Sequence, residues 1–234
     1  MRKDVLFLIL GWTLIALTIP LFICGIATAW LDSIQIALYS FALPCIISPS
    51  LGLILLSITR TDTGDRLRDK EAFAAVALVW PLAVFIGALP YWFGGVFNGP
   101  FTENIQLIDM ARGAVNSWFE SMSGFTTTGA TLIDSTLSPI CINAGQDIDC
   151  IAEQPKSILL WRSLTQWLGG IGVIMLGLLI FSSVLGGGMN LARAELTGPS
   201  LSRLGPDLQS TARILWLIYT FLTVFEIGLL YFLG

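Results

Sequence analysis

Five long apolar stretches, at about 5–30, 34–58, 72–93, 158–185 and 213–233, dictate where this chain can fold. A helix of roughly 20 apolar residues crosses the ~30 Å hydrocarbon core of a bilayer. At that depth no water is present to satisfy the backbone, so an all-α integral membrane fold follows. Composition agrees: 55% of residues are apolar and 12% charged, with a mean hydropathy of +0.80, which excludes an ordinary soluble domain. Arg2-Lys3 before the first stretch and Ala27-Thr28-Ala29 near its end imitate a secretory signal. The apolar run far exceeds the usual ~7–15-residue core of such signals, and we read it as an uncleaved span.

Between the third and fourth spans lies Ser117-Trp-Phe-Glu-Ser-Met-Ser-Gly-Phe-Thr-Thr-Thr-Gly-Ala-Thr131. An amphipathic helix at about 110–123, roughly 20 Å long at 1.5 Å per residue, falls short of a full crossing. A Thr-Thr-Thr-Gly loop follows it. Non-helical backbone at membrane depth is tolerated only when buried in protein or lining an aqueous cavity. By itself Thr-Thr-Thr-Gly suits a polar turn in any outer loop. After a short helix, and between two spans, it predicts a re-entrant pore loop. Thr126, Thr127 and Thr128 would offer successive backbone carbonyls to replace the water around a permeating K⁺. Gly129 permits torsions forbidden to a residue with Cβ. The helix's negative dipole end, near Ser123-Gly124, favours a cation.

Glu120 and Arg162 are the charges nearest this loop, and charges at membrane depth are usually paired or functional. Glu120 either buttresses the loop or pairs with Arg112 on the same helix. Arg162 either supports the loop or extends to the interface. Trp167-Leu-Gly-Gly-Ile-Gly172 lets neighbouring helices approach closely, and Gly186-Gly-Gly188 is expected to end the fourth span. Glu226, inside the fifth span, needs a partner.

Arg2, Lys3, Arg60, Arg66, Arg68, Lys70, Arg193, Arg203 and Arg213 fall on one side of this five-span arrangement; Arg112, Lys156 and Arg162 fall on the other. The positive-inside rule puts the N-terminus in the cytoplasm and brings the pore loop in from outside. Trp30, Tyr91, Trp92 and Trp161 are expected in the outer aromatic belt. Cys24 and Cys45 lie within spans as packed thiols. Cys141 and Cys150 share the outer loop with Asp147, Asp149 and Glu153, and are either disulfide-bonded or free. The chain has no histidine, no catalytic constellation and no Cys/His metal spacing. It has no basic block for nucleic acid, so an enzyme is not expected.

Several segments, in order, resemble the Trk/Ktr/HKT superfamily of K⁺ transporters, in particular the bacterial TrkH-type pore-forming subunit. They are Phe119-Glu-Ser-Met-Ser-Gly-Phe-Thr-Thr-Thr-Gly-Ala-Thr131, Trp161-Arg-Ser-Leu-Thr-Gln-Trp-Leu-Gly-Gly-Ile-Gly172, Gly187-Gly-Met189, Arg193-Ala-Glu-Leu-Thr-Gly-Pro199 and Trp216-Leu-Ile-Tyr-Thr-Phe-Leu-Thr223. The resemblance implies two leading spans (1–60), a cytoplasmic loop (61–71) and a first span–pore loop–span repeat (72–190). A second cytoplasmic loop (191–212) and the first span of a second repeat (213–234) complete it. It implies K⁺ binding at Thr127, Thr128 and Gly129, and at Thr126, with Glu120, Gly124 and Arg162 in support. It also implies a homodimer in a bacterial inner membrane, embedded in lipid and served by a cytoplasmic nucleotide-binding, TrkA-like regulatory subunit. Members with serine at the Gly129 place tend to accept Na⁺. Family members carry four pore loops and this sequence has one, so we expect part of a longer protein. The alternatives are a homo-oligomeric channel pooling single filters and a non-conducting scaffold.

The charge distribution makes a direct prediction. An impermeant maleimide should label a cysteine placed at Ser135 in intact cells, or in spheroplasts where an outer membrane blocks access. It should reach one placed at Thr63 only after the membrane is opened. The reverse pattern would overturn the orientation.

Overall fold

The computed structural model describes residues 2–59, 69–142, 149–195 and 208–233. Its helices are α1 (Lys3–Leu31), α2 (Ile34–Ile58), α3 (Asp69–Phe93), α4 (Leu107–Phe125), the single turn α5 (Pro139–Ile142), α6 (Lys156–Glu195) and α7 (Leu208–Leu233). Among the described residues, five helices are long and apolar enough to cross a membrane, and α4 is not one of them. Arg60, Arg66, Arg68, Arg203, Asp147 and the 196–199 end of the Arg193 motif lie outside the described residues. The chain divides into two units, Met1–Gly169 and Gly170–Gly234.

In the first unit α1 and α2 form a close hairpin. A Cβ on Gly52 would lie 2.8 Å from the Gly11 carbonyl, and one on Gly11 would lie 3.0 Å from the Gly52 carbonyl. Small residues at this crossing let the backbones touch, which is how helices associate in lipid. Ser48 Oγ donates to the Leu14 carbonyl at 2.7 Å nearby. A π-turn at Leu38–Ala42 precedes Pro44, which has no N–H for the regular ladder. The start of α3 is tied to the N-terminus. Arg2 Nε and Nη2 donate to Glu71 Oε1 and Oε2 at 2.9 and 2.8 Å, and Glu71 is buried. Both basic ends thus share one side of the helices.

The turn between α1 and α2 also starts α6. The N–H groups of Lys156 and Ser157 donate to Asp32 Oδ1 and Oδ2 at 3.0 and 2.9 Å. These are two of the N-terminal donors that a helix leaves without partners of its own. In the second unit the chain closes on Gly170, where a Cβ would come within 2.7 Å of the Tyr219 hydroxyl.

Several expectations change. Tyr91 and Trp161 are not in an interfacial belt: both are fully buried. Trp161 Nε1 donates to the Gly87 carbonyl at 3.0 Å, and its ring meets Phe41 edge-on. Depth places a residue near the interface, but helix face decides whether it meets lipid. Gly186-Gly-Gly188 does not end a helix, because α6 continues to Glu195. Glycine costs about 1 kcal/mol in a helix interior but keeps its N–H, so the ladder runs on through helix-forming flanks. α7 begins at Leu208 rather than near 213. The free thiols are Cys24, buried, and Cys45, partly so.

Partial burial pushes the Asp32 carboxyl up, but hydrogen bonds from the Ser157 hydroxyl and from the Ser157 and Lys156 N–H groups together hold it below 3.8, its ordinary value. A depressed carboxylate contributes stability that is present above the unfolded value and lost as pH falls through the folded one. Asp32→Ala should therefore cost about 1 kcal/mol, the scale of a lost helix cap, and flatten the decline in stability below about pH 4. Thermal unfolding of the purified protein across that pH range measures this; an unchanged curve would contradict it.

Candidate functional site

α4 ends in a reversal that residue preferences alone do not favour. The Thr127 N–H donates to the Gly124 carbonyl and the Thr128 N–H to the Ser123 carbonyl, at 2.9 and 3.0 Å. These two bonds make a Schellman closure, with Thr127 as the left-handed residue. Its φ is 56°. Glycine usually fills that position, and a β-branched residue there costs about 1–3 kcal/mol. Local contacts enforce it: Thr126 donates to the Met122 carbonyl through both its N–H and its Oγ1, at 2.9 and 2.8 Å. The Thr126 and Thr128 hydroxyls bond each other at 2.9 Å. Gly129 follows with φ 76°.

The closure consumes the last helical carbonyls and frees the next ones. Among the described residues no donor reaches the carbonyls of Thr126, Thr127 or Thr128. Residues 126–131 are exposed in this chain, although Ser123, Gly124 and Phe125 are buried. A row of unpaired carbonyl oxygens on a strained, exposed turn is an oxygen-rich surface suited to a cation without a competing anion.

Behind the turn lies Glu120, fully buried. Its Oε1 accepts from the Thr131 hydroxyl at 2.8 Å and from the Leu132 N–H. Its Oε2 pairs with Arg162 Nη1, and Arg162 Nη2 reaches the Gly129 carbonyl at 3.3 Å. Ser123 Oγ donates to the Ala130 carbonyl at 2.6 Å. Four of the residues that leave the turn are thus held from one side. The Gly129 carbonyl keeps a second lone pair beside its bond to Arg162.

Glycines bring the supporting helices together. A Cβ on Gly124 would fall 2.3 Å from Thr165 Oγ1, one on Gly87 2.5 Å from Phe125 Cε2, and one on Gly169 2.1 Å from the Phe125 carbonyl. α3, α4 and α6 therefore meet around Phe125, and Ser121 Oγ fixes the register by donating to the Val84 carbonyl at 2.8 Å.

The structure brings together Glu120, Gly124, Thr126, Thr127, Thr128, Gly129 and Arg162, decides between the alternatives left open for Glu120 and Arg162, and corrects the expected length of α4. Arg112 pairs with Asp109 at 3.3 Å, so Glu120 is held by Arg162 instead, and Arg162 turns inward rather than to the interface. α4 also spans 19 residues, about 28 Å at 1.5 Å per residue. Its polar composition, not its length, disqualifies it as a span. Ser123, Thr131 and Thr165 were missed as supports, because short hydroxyl side chains carry no signal until their acceptors are known. In the following loop Cys141 and Cys150 form a disulfide, and Gln154 Nε2 donates to the Cys150 carbonyl at 3.1 Å. Among the described residues no group of His, Cys, Asp and Glu could hold a metal ion.

A family model described as TrkH, a cation transport protein, matches residues 55–233. The potassium uptake protein TrkH of Salmonella typhimurium is 36% identical over 186 residues, 79% of this chain and 32% of the relative. The potassium uptake protein TrkG of Escherichia coli is 30% identical, over 71% of this chain and 29% of the relative. An uncharacterised cation transporter of Methanocaldococcus jannaschii is 30% identical over 83% of this chain and 34% of its own length. In fold, the chain is similar to the crystal structure of the potassium transporter TrkH from Vibrio parahaemolyticus. That match has a TM-score of 0.66 and 24% identity, covering 96% of this chain and 38% of that one. The chain spans about a third of the length of the curated relatives it matches.

Proposed function

We propose that this chain, which belongs to the TrkH family of cation transport proteins, forms one wall of a potassium-selective pore. The observation that carries this reading is the row of unpaired carbonyls at Thr126, Thr127 and Thr128, fixed in a left-handed reversal over a buried Glu120–Arg162 pair. K⁺ sheds water only where oxygens replace it at little net cost. Thr127, Thr128 and Gly129, with Thr126, supply those oxygens from one side. The others come from equivalent loops in the assembled transporter, since one loop cannot surround an ion. Residues 72–190 act as a span–pore loop–span repeat, preceded by two leading spans at 1–60. The loops at 61–71 and 191–212 face the cytoplasm, and 213–234 opens a further repeat.

The same reading places the protein in a bacterial inner membrane with its N-terminus inside, as a homodimer controlled by a cytoplasmic nucleotide-binding subunit. Its work is ion translocation rather than catalysis. The basic residues on one side of the spans support the orientation.

Gly129 offers the sharpest test. A Cβ there would meet nothing within 4 Å, so Gly129→Ser fits sterically and acts through the backbone. A side chain at φ 76° costs about 1–2 kcal/mol, roughly a five- to thirtyfold change in a binding ratio. In a host lacking K⁺ uptake, the complete transporter carrying Gly129→Ser should show a Rb⁺/Na⁺ uptake ratio lowered on that scale. An unchanged ratio would refute the filter assignment.

A further inference from the structure

Beyond the Glu120-held limb of the turn, the chain meets a second anchor. Ser138 is fully buried, and its hydroxyl donates to the Val96 carbonyl at 2.8 Å, just past the end of α3. Gln154, also buried and two residues before α6 begins, reaches Ser138 from the other side. Its Nε2 donates to Ser138 Oγ at 3.2 Å and to the Cys150 carbonyl at 3.1 Å, with Cys141 Sγ 3.7 Å away. The Cys141–Cys150 disulfide closes the group.

The neighbours fix which way the amide points. Ser138 has committed its proton to Val96, and a carbonyl can only accept, so both positions demand the N–H end of the glutamine. Gln154 Oε1 is left buried with no hydrogen-bond partner among the described residues. Such an unmade bond costs about 1–3 kcal/mol, which offsets much of what the two made bonds contribute. Methionine would fill similar space without that orphan. What it would lack is a directed link between two segments of chain.

Those segments are already joined once, at the filter. Glu120 accepts from the Leu132 N–H on one side and pairs with Arg162 of α6 on the other. Gln154 joins the same two segments further along, holding Ser138 from a position just before α6. Stretches 132–138 and 154–162 therefore form the two sides of a ring, with Glu120 at the filter end and Gln154 at the far end. The disulfide limits how far the far ends can separate. Gln154 fixes how they are oriented, because one nitrogen holds Ser138 and Cys150 together.

We propose that Gln154 is a positioning residue for the filter, whose amide holds the far end of this ring so that Arg162 stays aligned with Glu120 and the Gly129 carbonyl. Without it, α6 and the limb can turn relative to each other. The long Arg162 contact to the Gly129 carbonyl, at 3.3 Å, is then the first to be lost. A filter free to relax accommodates the smaller Na⁺ more readily, so Gln154 acts on selectivity without touching the ion. The inference rests on the filter reading above.

The test is Gln154→Met in the complete transporter, with Gly129→Ser alongside and membrane abundance matched by immunoblot. Gln154→Met should lower the Rb⁺/Na⁺ uptake ratio about three- to tenfold, the scale of one hydrogen bond. A purely structural role would reduce abundance and leave the ratio alone, which would overturn the inference. If Gly129→Ser changes the ratio while Gln154→Met does not, this inference falls and the filter reading stands. If neither changes it, the filter reading falls and takes the inference with it. Should Gln154→Met fail to accumulate, Ser138→Ala removes the partner hydroxyl instead. A lowered ratio there supports the inference, and an unchanged one overturns it.

Discussion

Two charges lie beneath an exposed turn, and neither can stay there without the other. Removing a carboxylate and a guanidinium from water costs several kcal/mol each, and deleting one partner of such a pair typically costs 3–5 kcal/mol. Glu120 is fully buried and Arg162 nearly so. The pair joins α4 to α6, and through Thr131, Leu132 and Gly129 it joins both helices to the turn. A hydrophobic pair could cement the helices as well. It could not also accept from a hydroxyl and an N–H and donate to a carbonyl, and those polar bonds are what give the turn its shape.

Around that pair the fold supplies close approach and fixed ends. Gly87, Gly124 and Gly169 remove the side chains that would keep α3, α4 and α6 apart. Asp32 sets where α6 begins, and so helps fix the height at which Arg162 projects. Arg2 and Glu71 close the far end of α3. The strain at Thr127 is tolerated because it is enclosed on both sides, by the helix end before it and the Glu120-held limb after it. Strain of this kind accompanies function when the surrounding structure enforces it.

Much of this was legible in the sequence. Long apolar runs gave the spans because membrane burial demands length and apolarity, both of which are sequence properties. The turn was legible through Thr-Thr-Thr-Gly in its setting, and Glu120 and Arg162 through the rarity of charge beside it. The rest depended on which face a residue occupies. Tyr91 and Trp161 have the composition of interfacial anchors yet point inward. Thr127 in a left-handed conformation runs against local preference, so no propensity argument finds it. Three consecutive glycines signalled a helix end, but backbone hydrogen bonding carried α6 through them.

The central claim is that the oxygens of this turn bind K⁺ in the assembled transporter. Anomalous diffraction from Rb⁺-soaked crystals of the complete protein tests it most directly. The account predicts an anomalous peak against the carbonyls of Thr127 and Thr128, absent from crystals grown in Na⁺ alone. Rb⁺ density elsewhere in the pore, with those carbonyls unoccupied, would contradict it.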